Sequence, residues 1–434
     1  MFNSLRYQLH KIKRPRRYQL LSTLLQNQTL SQEQLFIKSE QELDSMVRFA
    51  IAHTHYYRKR YAALPLDNDT VIKSADLPIL SKNDVMSHRE AMLADTVDRS
   101  AIRLGSTGGS TGKPVSFYYD DYKMELMRAG MSRSYMWSGW QPGQKILNFW
   151  GARQDIKSSG IGKRYSDFIK AEKTIGAYEY SEAELDKWVK MIKQYQPVLL
   201  QGYASVLAEL ANYVLDNNII MSSSLRGVYS TAEVLYDSQR QAIETAFACK
   251  VYNQYGCREI PNIAIECQQG NMHVFTDMVN LESVLLDGDH KLIITSLTNF
   301  LMPMIRYENG DTGKLKSGQC ACGSPFPMME MGMCRSNDII KTKTGKNIYP
   351  SYFIHLLDGI KGIKQYQFIQ SGLDKIILNI HASDKLNDHI QTGLQQKIRL
   401  EIDPDMQLEI IQSDEIKRTV SGKYRFVISD LTAL

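Results

Sequence analysis

Apolar residues recur at helical intervals in the middle of the chain, and short apolar runs lie between these stretches. In Ser181–Tyr195, for example, Leu185, Trp188 and Ile192 fall on one helical face. The short runs between the helices predict buried strands. The alternating elements are strand Lys145–Trp150, helix Ser181–Tyr195, strand Pro197–Gln201, helix Ser205–Leu215, strand Gly227–Ser230 and helix Leu235–Ala248. This alternation over 145–256 predicts parallel βαβ units.

The C-terminal part of the chain follows other patterns. Short strands separated by turn residues between 272 and 307 predict a small β-rich subdomain with hairpins. Beyond residue 335 the predicted order is helix (351–358), strand (364–370), strand (375–381), helix (387–400) and strand (406–412). The predicted fold class is α/β: a large N-terminal domain at 1–334, with parallel βαβ sheets and the β-rich subdomain, and a small α+β C-terminal domain at 335–434.

Two helical signals precede the βαβ region. Ser31 and Gln34 form a capping-box pattern, and apolar spacing extends the predicted helix over 31–63. Residues 1–20 are basic, with apolar residues between the cations. This composition favours a solvated helix or a frayed terminus, and contact with an anionic membrane surface is the alternative.

The composition is that of an ordinary globular protein. The chain has 434 residues, of which 43% are hydrophobic and 23% charged, and its net charge is +5. This excess of positive charge is too small to indicate nucleic-acid binding, and no nucleic-acid-binding signature accompanies it. The sequence has no run of about 18 apolar residues and no secretory signal, so we expect no transmembrane segment and a cytoplasmic location.

A stretch rich in glycine, serine and threonine at 104–114 predicts a phosphate-binding loop. Glycine lets backbone N–H groups turn toward an anion, hydroxyls donate to phosphate oxygens, and lysine adds positive charge. The flanking segments 101–104 and 115–119 have strand composition, and the Walker A spacing is absent, so the loop joins two strands. A flexible solvated loop is the alternative. The residues expected to contact phosphate are Ser106, Thr107, Gly108, Gly109, Ser110, Thr111, Gly112 and Lys113.

Further motifs follow this loop along the chain. They are Thr231–Val234, Tyr255–Glu259, Arg306–Asp311, Cys334–Lys341 and Ser421–Arg425. Together with the loop, they resemble the signature motifs of the adenylate-forming superfamily, which includes acyl-CoA synthetases. Arg48–Tyr61, Met302–Tyr307 and Cys320–Gly323 look similar to the branch of phenylacetate-CoA ligases and CapK-like proteins of capsular polysaccharide biosynthesis.

The resemblance implies that a substrate carboxylate attacks the α-phosphate of ATP, and that a second nucleophile then takes the acyl group from the adenylate. The catalytic residues would be Lys113 on the leaving phosphates, Glu259 on Mg²⁺, and Lys423 at the α-phosphate and carboxylate. Lys423 lies on a C-terminal domain that is expected to be mobile between two orientations. The other nucleotide contacts implied are Ala232 and Glu233 lining the adenine pocket, Tyr255 and Gly256 packed on the adenine, Asp311 on the ribose hydroxyls and Arg335 near the ribose.

Three of these assignments have a simpler structural alternative. Lys423 could be a solvated lysine, and Asp311 could serve only to close a turn. Glu259 could pair on the surface with Arg258 or Arg306.

The sequence also departs from the family pattern at four positions. Cys334 and Asn337 replace the usual Gly and Asp at the expected hinge between the domains. Arg258 replaces Thr, and Glu308 replaces Arg, at positions expected to lie near the nucleotide. These changes could alter the hinge motion, the rate of the reaction or the choice of acyl acceptor.

The six cysteines all lie between residues 249 and 334, which favours a local site. Cys267, His273, Cys320 and Cys322 supply the thiolates and imidazole that suit tetrahedral Zn²⁺, and the phenylacetate-CoA ligase branch is similar here. Four protein ligands leave no position open for substrate, so the ion would be structural. The alternative is a set of buried reduced thiols.

These features predict an ATP-dependent, AMP-forming carboxylate ligase that transfers an acyl group to CoA. One alternative is a CapK-like enzyme that passes the acyl group to an amine or hydroxyl, and another is a degenerate nucleotide-binding subunit. The expected ligands are a small carboxylic acid, ATP, Mg²⁺ and structural Zn²⁺, and a homodimer is left open. Gly202, Tyr203 and the loop at 150–163 are expected to line the acid pocket, with Asp155 as the partner of any amino group, but the sequence does not identify the acid.

Overall fold

The computed structural model describes residues 2–64, 72–96, 98–107, 115–150, 167–177, 180–221, 224–286, 288–335, 340–344, 346–348, 352–353, 356–357, 360, 362–416, 425–429 and 431. The chain divides into two compact units. The first unit holds Met1–Asn309 and Gly313–Glu330, and the second holds Gly310–Thr312 and Met331–Leu434.

The helices and strands are numbered in chain order. The α-helices are α1 (Phe2–Lys13), α2 (Pro15–Asn27), α3 (Gln32–His53), α4 (His55–Arg60), α5 (Lys82–His88), α6 (Asp121–Met136), α7 (Glu182–Tyr195), α8 (Ala204–Asp216), α9 (Asp237–Phe247) and α10 (Asp388–Glu401). The strands are β1 (Arg103–Ser106), β2 (Ser116–Tyr119), β3 (Ile146–Trp150), β4 (Glu172–Gly176), β5 (Leu199–Tyr203), β6 (Gly227–Thr231), β7 (Val251–Tyr255), β8 (Ala264–Glu266), β9 (Met272–Val274), β10 (Val279–Leu286), β11 (Asp289–Ser296), β12 (Tyr307–Lys316), β13 (Met328–Arg335), β14 (Ile340–Lys341), β15 (Asn347–Ile348), β16 (Ile363–Gly372), β17 (Lys375–Ala382), β18 (Gln407–Gln412) and β19 (Val427–Ser429).

An eleven-stranded sheet has the order β10-β11-β12-β13-β9-β8-β7-β6-β5-β3-β4. Its strands β4, β3, β5, β6 and β7 are parallel, which confirms the predicted βαβ units. Strand β5 is buried along its whole length, as expected for a strand covered on both faces. The apolar faces of α7, α8 and α9 share one buried core with these strands. Strands β8 to β13, which include most of the predicted β-rich subdomain, continue the same sheet, with antiparallel pairing between β8 and β9, β9 and β13, and β10 and β11.

Strands β1 and β2 form a separate antiparallel pair, with Arg103 opposite Tyr119 and Ser106 opposite Ser116. The phosphate-loop stretch therefore joins two strands, as the flanking composition predicted. Strand β1 begins two residues later than the predicted strand at 101–104.

The segment predicted at 1–20 as a solvated helix or frayed terminus lies on α1 and the first part of α2, and its side chains at 11–16 are exposed, as expected for a solvated helix. Residues 15–27 form α2, which buries Leu21 and Leu24 and packs against α6. Arg17 Nε lies 2.7 Å from a carboxylate oxygen of Glu125 on α6 and strengthens this packing. This contact between α2 and α6 joins distant segments, so apolar spacing within one helix does not reveal it.

The helix predicted over 31–63 is two helices. The capping box of Ser31 and Gln34 is present, but Thr54 has extended backbone angles and ends α3. The Thr54 hydroxyl accepts a hydrogen bond from the Tyr57 N–H and caps α4. An isolated bridge between Thr54 and Ala94 holds the break in place.

The second unit has a four-stranded sheet in the order β18-β17-β16-β19, with α10 contributing to its apolar core. The predicted strands at 364–370, 375–381 and 406–412 and the helix at 387–400 match β16, β17, β18 and α10. Strand β19 was not predicted; it pairs parallel to β16. Part of the predicted helix at 351–358 lies outside the described residues. In the described parts of both units, no helix is long and apolar enough to cross a membrane.

Candidate active site and cysteine–histidine cluster

The stem of the phosphate-loop stretch is held at both ends by hydrogen bonds. The Thr107 N–H donates to the Val115 carbonyl at 2.9 Å, and the Val115 N–H donates to Thr107 Oγ1 at 2.9 Å. A Cβ on Gly105 would lie only 2.5 Å from the Phe117 ring. Glycine is therefore required where this ring crosses the stem of the loop, which is the pair of strands β1 and β2. The predicted phosphate ligands Gly108, Gly109, Ser110, Thr111, Gly112 and Lys113 lie outside the described residues.

Glu259 is buried, with 4% of its surface exposed. The Tyr307 hydroxyl donates to its Oε1 at 3.0 Å, whereas Oε2 is buried and has no hydrogen-bond partner among the described residues. A buried carboxylate oxygen without a partner is costly, and a hard cation such as Mg²⁺ would compensate for it. The residues present therefore fit a magnesium ion.

The alternative in which Glu259 pairs on the surface with an arginine is wrong, because its carboxylate is buried. Arg306 pairs with Glu282 instead, with Nη2 3.0 Å from Oε2. Arg258 donates to the Ser106 carbonyl at 3.2 Å and so connects the segment of Glu259 to the stem of the loop. The departure from the family at Arg258 therefore has a structural role of its own.

Lys123 also belongs to this site, although sequence reasoning did not select it. Its Nζ donates to the Glu259 carbonyl oxygen at 2.5 Å and lies 4.6 Å from the centre of the Phe117 ring. Burial lowers the pKa of Lys123 to about 8. Lys123 thus connects α6, the Glu259 segment and strand β2 at the base of the loop. The signal that could have found it is its position in the buried stripe of α6, three residues before Leu126.

Strand β12 presents a row of buried side chains. Because side chains alternate along a strand, Tyr307, Asn309 and Asp311 share one face, and all three are buried. Asn309 Nδ2 donates to the Tyr255 hydroxyl at 2.9 Å. Glu308 falls on the other face, where its carboxylate lies 3.3 Å from Lys291 Nζ. This departure from the family therefore points away from the row that carries the predicted ribose ligand.

The predicted adenine and acid residues lie at the carboxyl ends of the parallel strands, where ligands of open α/β sheets bind. Ala232 follows β6 with a left-handed φ of 70°, a strained position of the kind that occurs at ligand sites. The Glu233 carboxylate accepts from the Ser205 N–H at 2.9 Å, at the start of α8. A Cβ on Gly256 would lie 3.0 Å from the Asn262 backbone nitrogen.

Two aromatic side chains meet at the same sheet edge. The ring centres of Trp150 and Tyr203 are 5.4 Å apart in an edge-to-face arrangement. Gly202 is close-packed, since a Cβ there would lie 3.0 Å from the Phe149 carbonyl oxygen. The remaining predicted acid-pocket residues, at 151–163 with Asp155, lie outside the described residues, as do Lys423 and the side chain of Arg335.

The structure brings together Cys267, His273, Cys320 and Cys322, whose ligand atoms all lie within 4.8 Å of one another. Cys267 Sγ is 3.7 Å from Cys320 Sγ, and Cys322 Sγ is 3.4 Å from His273 Nε2. Tetrahedral zinc with Zn–S bonds of about 2.3 Å would place two sulfurs roughly 3.8 Å apart. The spacing of the four atoms therefore fits a tetrahedral zinc ion.

The surroundings of this cluster orient its ligands and favour the thiolate form of Cys320, whereas burial raises the pKa of the Cys322 thiol to about 12. His273 Nδ1 lies 2.8 Å from the Phe326 carbonyl oxygen, so it carries the proton and leaves Nε2 able to bind a metal. Although burial opposes ionisation, hydrogen bonds, first among them one from the Cys322 N–H, lower the pKa of the Cys320 thiol to about 6. Backbone N–H groups of Gln269 and Ser324 donate to the sulfurs of Cys267 and Cys322.

Comparisons with known proteins agree with this architecture. A family model described as the CapK C-terminal domain matches residues 340–430. Protein CapK of Staphylococcus aureus is 26% identical over 99% of this chain and 95% of its own length. Phenylacetate-coenzyme A ligase of Thermus thermophilus is 23% identical over 92% of this chain and 98% of its own length. A crystal structure of 2-hydroxyisobutyryl-CoA ligase in the postadenylation state has a TM-score of 0.69 and 18% identity, covering 90% of this chain and 89% of that chain.

The fold is therefore that of the adenylate-forming ligases. Within that fold, the two relatives and the C-terminal match confirm the predicted resemblance to the branch of phenylacetate-CoA ligases and CapK.

Proposed function

We propose that this protein is an AMP-forming ligase that activates a carboxylic acid with ATP and transfers the acyl group to CoA. In the first half-reaction the carboxylate attacks the α-phosphate and pyrophosphate leaves. In the second half-reaction the CoA thiol attacks the acyl carbon, loses its proton, and AMP leaves. The observation that carries the proposal is the buried Glu259 carboxylate. One of its oxygens has no partner among the described residues, and Lys123 and Arg258 connect its segment to the stem of the phosphate loop.

The described residues can perform separate parts of this reaction. Glu259 would hold Mg²⁺, and the ion would neutralise charge on the phosphate oxygens. The face of β12 would present Asp311 to the ribose, and Tyr255 and Gly256 would pack on the adenine. Lys113 and Lys423 keep the roles that the resemblance implies, on the leaving pyrophosphate and at the α-phosphate.

The acceptor has a second candidate. The C-terminal domain match is to CapK, and CapK of Staphylococcus aureus is also similar over nearly the whole length. These observations support a CapK-like enzyme. The resemblance implies that such an enzyme works in polysaccharide biosynthesis, with an amine or hydroxyl in place of the CoA thiol. Both candidates share the first half-reaction and differ only in the second nucleophile.

The test is acid-dependent exchange of labelled pyrophosphate into ATP, measured over a panel of aromatic, aliphatic and amino acids. We expect exchange with at least one acid, because exchange reports adenylation without any acceptor. The active acid is then combined with CoA, amines and sugars, and consumption of the adenylate identifies the acceptor. If no acid supports exchange while ATP still binds, the protein is a degenerate nucleotide-binding subunit and the proposal is wrong.

We also propose that Cys267, His273, Cys320 and Cys322 bind a structural zinc ion. The spacing of their ligand atoms and the single orientation of the His273 ring support this assignment. Four protein ligands leave no open position, so the ion would stabilise the local fold and take no part in catalysis.

A further inference from the structure

Helix α1 has two apolar or aromatic faces, and within the described part of the protein only one of them packs against other elements. On the inner face the Tyr7 and Tyr18 rings lie edge to face at 5.3 Å, and His10 Nδ1 is 2.8 Å from the Tyr18 hydroxyl. The Arg6 guanidinium lies 4.7 Å from the centre of the Phe168 ring. These contacts fix the helix to the first unit and determine which face remains in water.

The outer face carries an apolar stripe. Leu5, Leu9 and Ile12 follow the i, i+4, i+7 spacing of one helical face. Their exposed fractions are 52%, 37% and 77%. At 100° per residue, the stripe lies on the side of the helix opposite Tyr7 and His10. Three large apolar side chains in one row on a docked helix form a surface that can bind a partner.

The charge around the stripe is of one sign. Residues 1–32 contain no aspartate or glutamate, and their cations are Arg6, Lys11, Lys13, Arg14, Arg16 and Arg17. Lys11, Lys13 and Arg16 are exposed. The acid that faces this segment from α6 is Glu125, which pairs with Arg14 and Arg17 and leaves the positive excess in place. An apolar stripe flanked by cations is complementary to a partner that has an apolar interior and an anionic surface layer.

We propose that α1 lies on the surface of an anionic phospholipid bilayer, with Leu5, Leu9 and Ile12 inserted at the level of the headgroups and with Lys11, Lys13 and Arg16 against the phosphates. A helix of 12 residues is about 18 Å long and would lie in the plane of the membrane. Three apolar side chains alone bind weakly, and each cation near an anionic surface adds about fivefold in affinity. Binding should therefore be reversible and should weaken with salt. This inference does not depend on the proposed acyl transfer.

The experiment is flotation of the full-length protein with vesicles. One set contains phosphatidylglycerol and phosphatidylcholine, and the other contains phosphatidylcholine alone. We expect binding to the anionic vesicles and at least tenfold weaker binding to the neutral ones. The triple variant Leu5→Ser, Leu9→Ser, Ile12→Ser should lose at least tenfold in partitioning, and Lys11→Gln with Lys13→Gln should lose about 25-fold, at fivefold per charge.

A matched control carries the same kind of change away from α1. Ile220, Leu285 and Leu400 are exposed by 87%, 63% and 85%, and their triple serine variant should bind like the wild type. Equal thermal midpoints would show that both triple variants fold, since all six positions are exposed. Absence of wild-type binding to anionic vesicles would overturn the proposal, as would equal binding to both vesicle types. A dimer in sedimentation that binds no vesicles and dissociates in the α1 variant would instead identify a second copy as the occupant.

Discussion

At the scale of single residues, the candidate site depends on how Glu259 is held. Its backbone carbonyl accepts from Lys123, and its Oε1 accepts from Tyr307. Only Oε2 has no partner among the described residues. The carboxylate is thus oriented by protein contacts on one side and available to a cation on the other, an arrangement that suits a metal ligand.

Glu259→Gln should reduce ATP–pyrophosphate exchange by about 100-fold and weaken the apparent affinity for Mg²⁺, because the amide keeps the shape and the Tyr307 hydrogen bond but loses the charge. Tyr307→Phe is the matched control. It leaves the charge intact and removes one hydrogen bond, so a loss of about tenfold is expected. Exchange by Glu259→Gln within threefold of wild type at saturating Mg²⁺ would contradict the assignment.

Lys123 should make folding stability depend on pH above neutrality. Its pKa is lowered by burial to about 8, whereas the pKa of a lysine in the unfolded chain is about 10.5. Between these values the unfolded chain binds more protons than the native one, so the free energy of unfolding rises with pH. A pKa shift of this size corresponds to a change of up to about 3 kcal/mol in the free energy of unfolding.

The measurement compares wild type and Lys123→Met by denaturant titration at pH 7.5 and pH 10. The difference in the free energy of unfolding between the two proteins cancels the contributions of the titratable groups that they share. We expect the wild type to gain stability relative to the variant as pH rises, and an unchanged difference would show that Lys123 is not desolvated in its charged form. Lys123→Met should also weaken the use of ATP, because the Glu259 carbonyl loses its donor.

At the scale of elements, the sequence predicts what depends on local periodicity. The parallel strands β3, β5 and β6 and their helices follow from short apolar runs and helical stripes, and the structure confirms them. The break between α3 and α4 at Thr54 cannot be predicted from local periodicity, because the extended backbone of Thr54 depends on contacts with the segment at 91–94. The motif around Glu259 is local and was found. The helical stripe of α6 marks Lys123 as buried, but its contact with Glu259 joins residues 136 positions apart, so the sequence does not show what Lys123 binds.

The cysteine–histidine cluster joins two turns, one between β8 and β9 and the other at Cys320–Gly323. A bound zinc should be found at about one ion per chain by metal analysis of protein purified without added metal. Cys320→Ser or a strong chelator should lower the thermal midpoint by roughly 10 °C, because the ion connects segments that otherwise share a small apolar cluster. Cys249→Ser is the control, since Cys249 lies outside the cluster and packs against the core of the large sheet. Protein without metal and equal midpoints for the two variants would favour buried reduced thiols instead.

At the scale of the whole molecule, the expected catalytic residues are divided between the two units. Lys113 and Glu259 belong to the first unit, and Lys423 belongs to the second, the unit that matches the CapK C-terminal domain over 340–430. The resemblance implies that the C-terminal domain takes one orientation for each half-reaction. Residues that act on ATP should therefore be separable from those that act in acyl transfer.

Lys113→Ala and Lys423→Ala should both slow the first half-reaction by far more than the second. Lys113 is expected on the pyrophosphate that leaves and Lys423 on the α-phosphate that is attacked, so neither charge is needed once the adenylate has formed. The two half-reactions are measured separately, by pyrophosphate exchange and by transfer of the acyl group from supplied acyl-adenylate. Lys187→Ala, on the helix α7, controls for the loss of a lysine elsewhere in the first unit. Equal losses in both half-reactions would mean that these lysines stabilise the fold or the second step. Such a result would contradict the assignment of the loop at 104–114 to the leaving pyrophosphate.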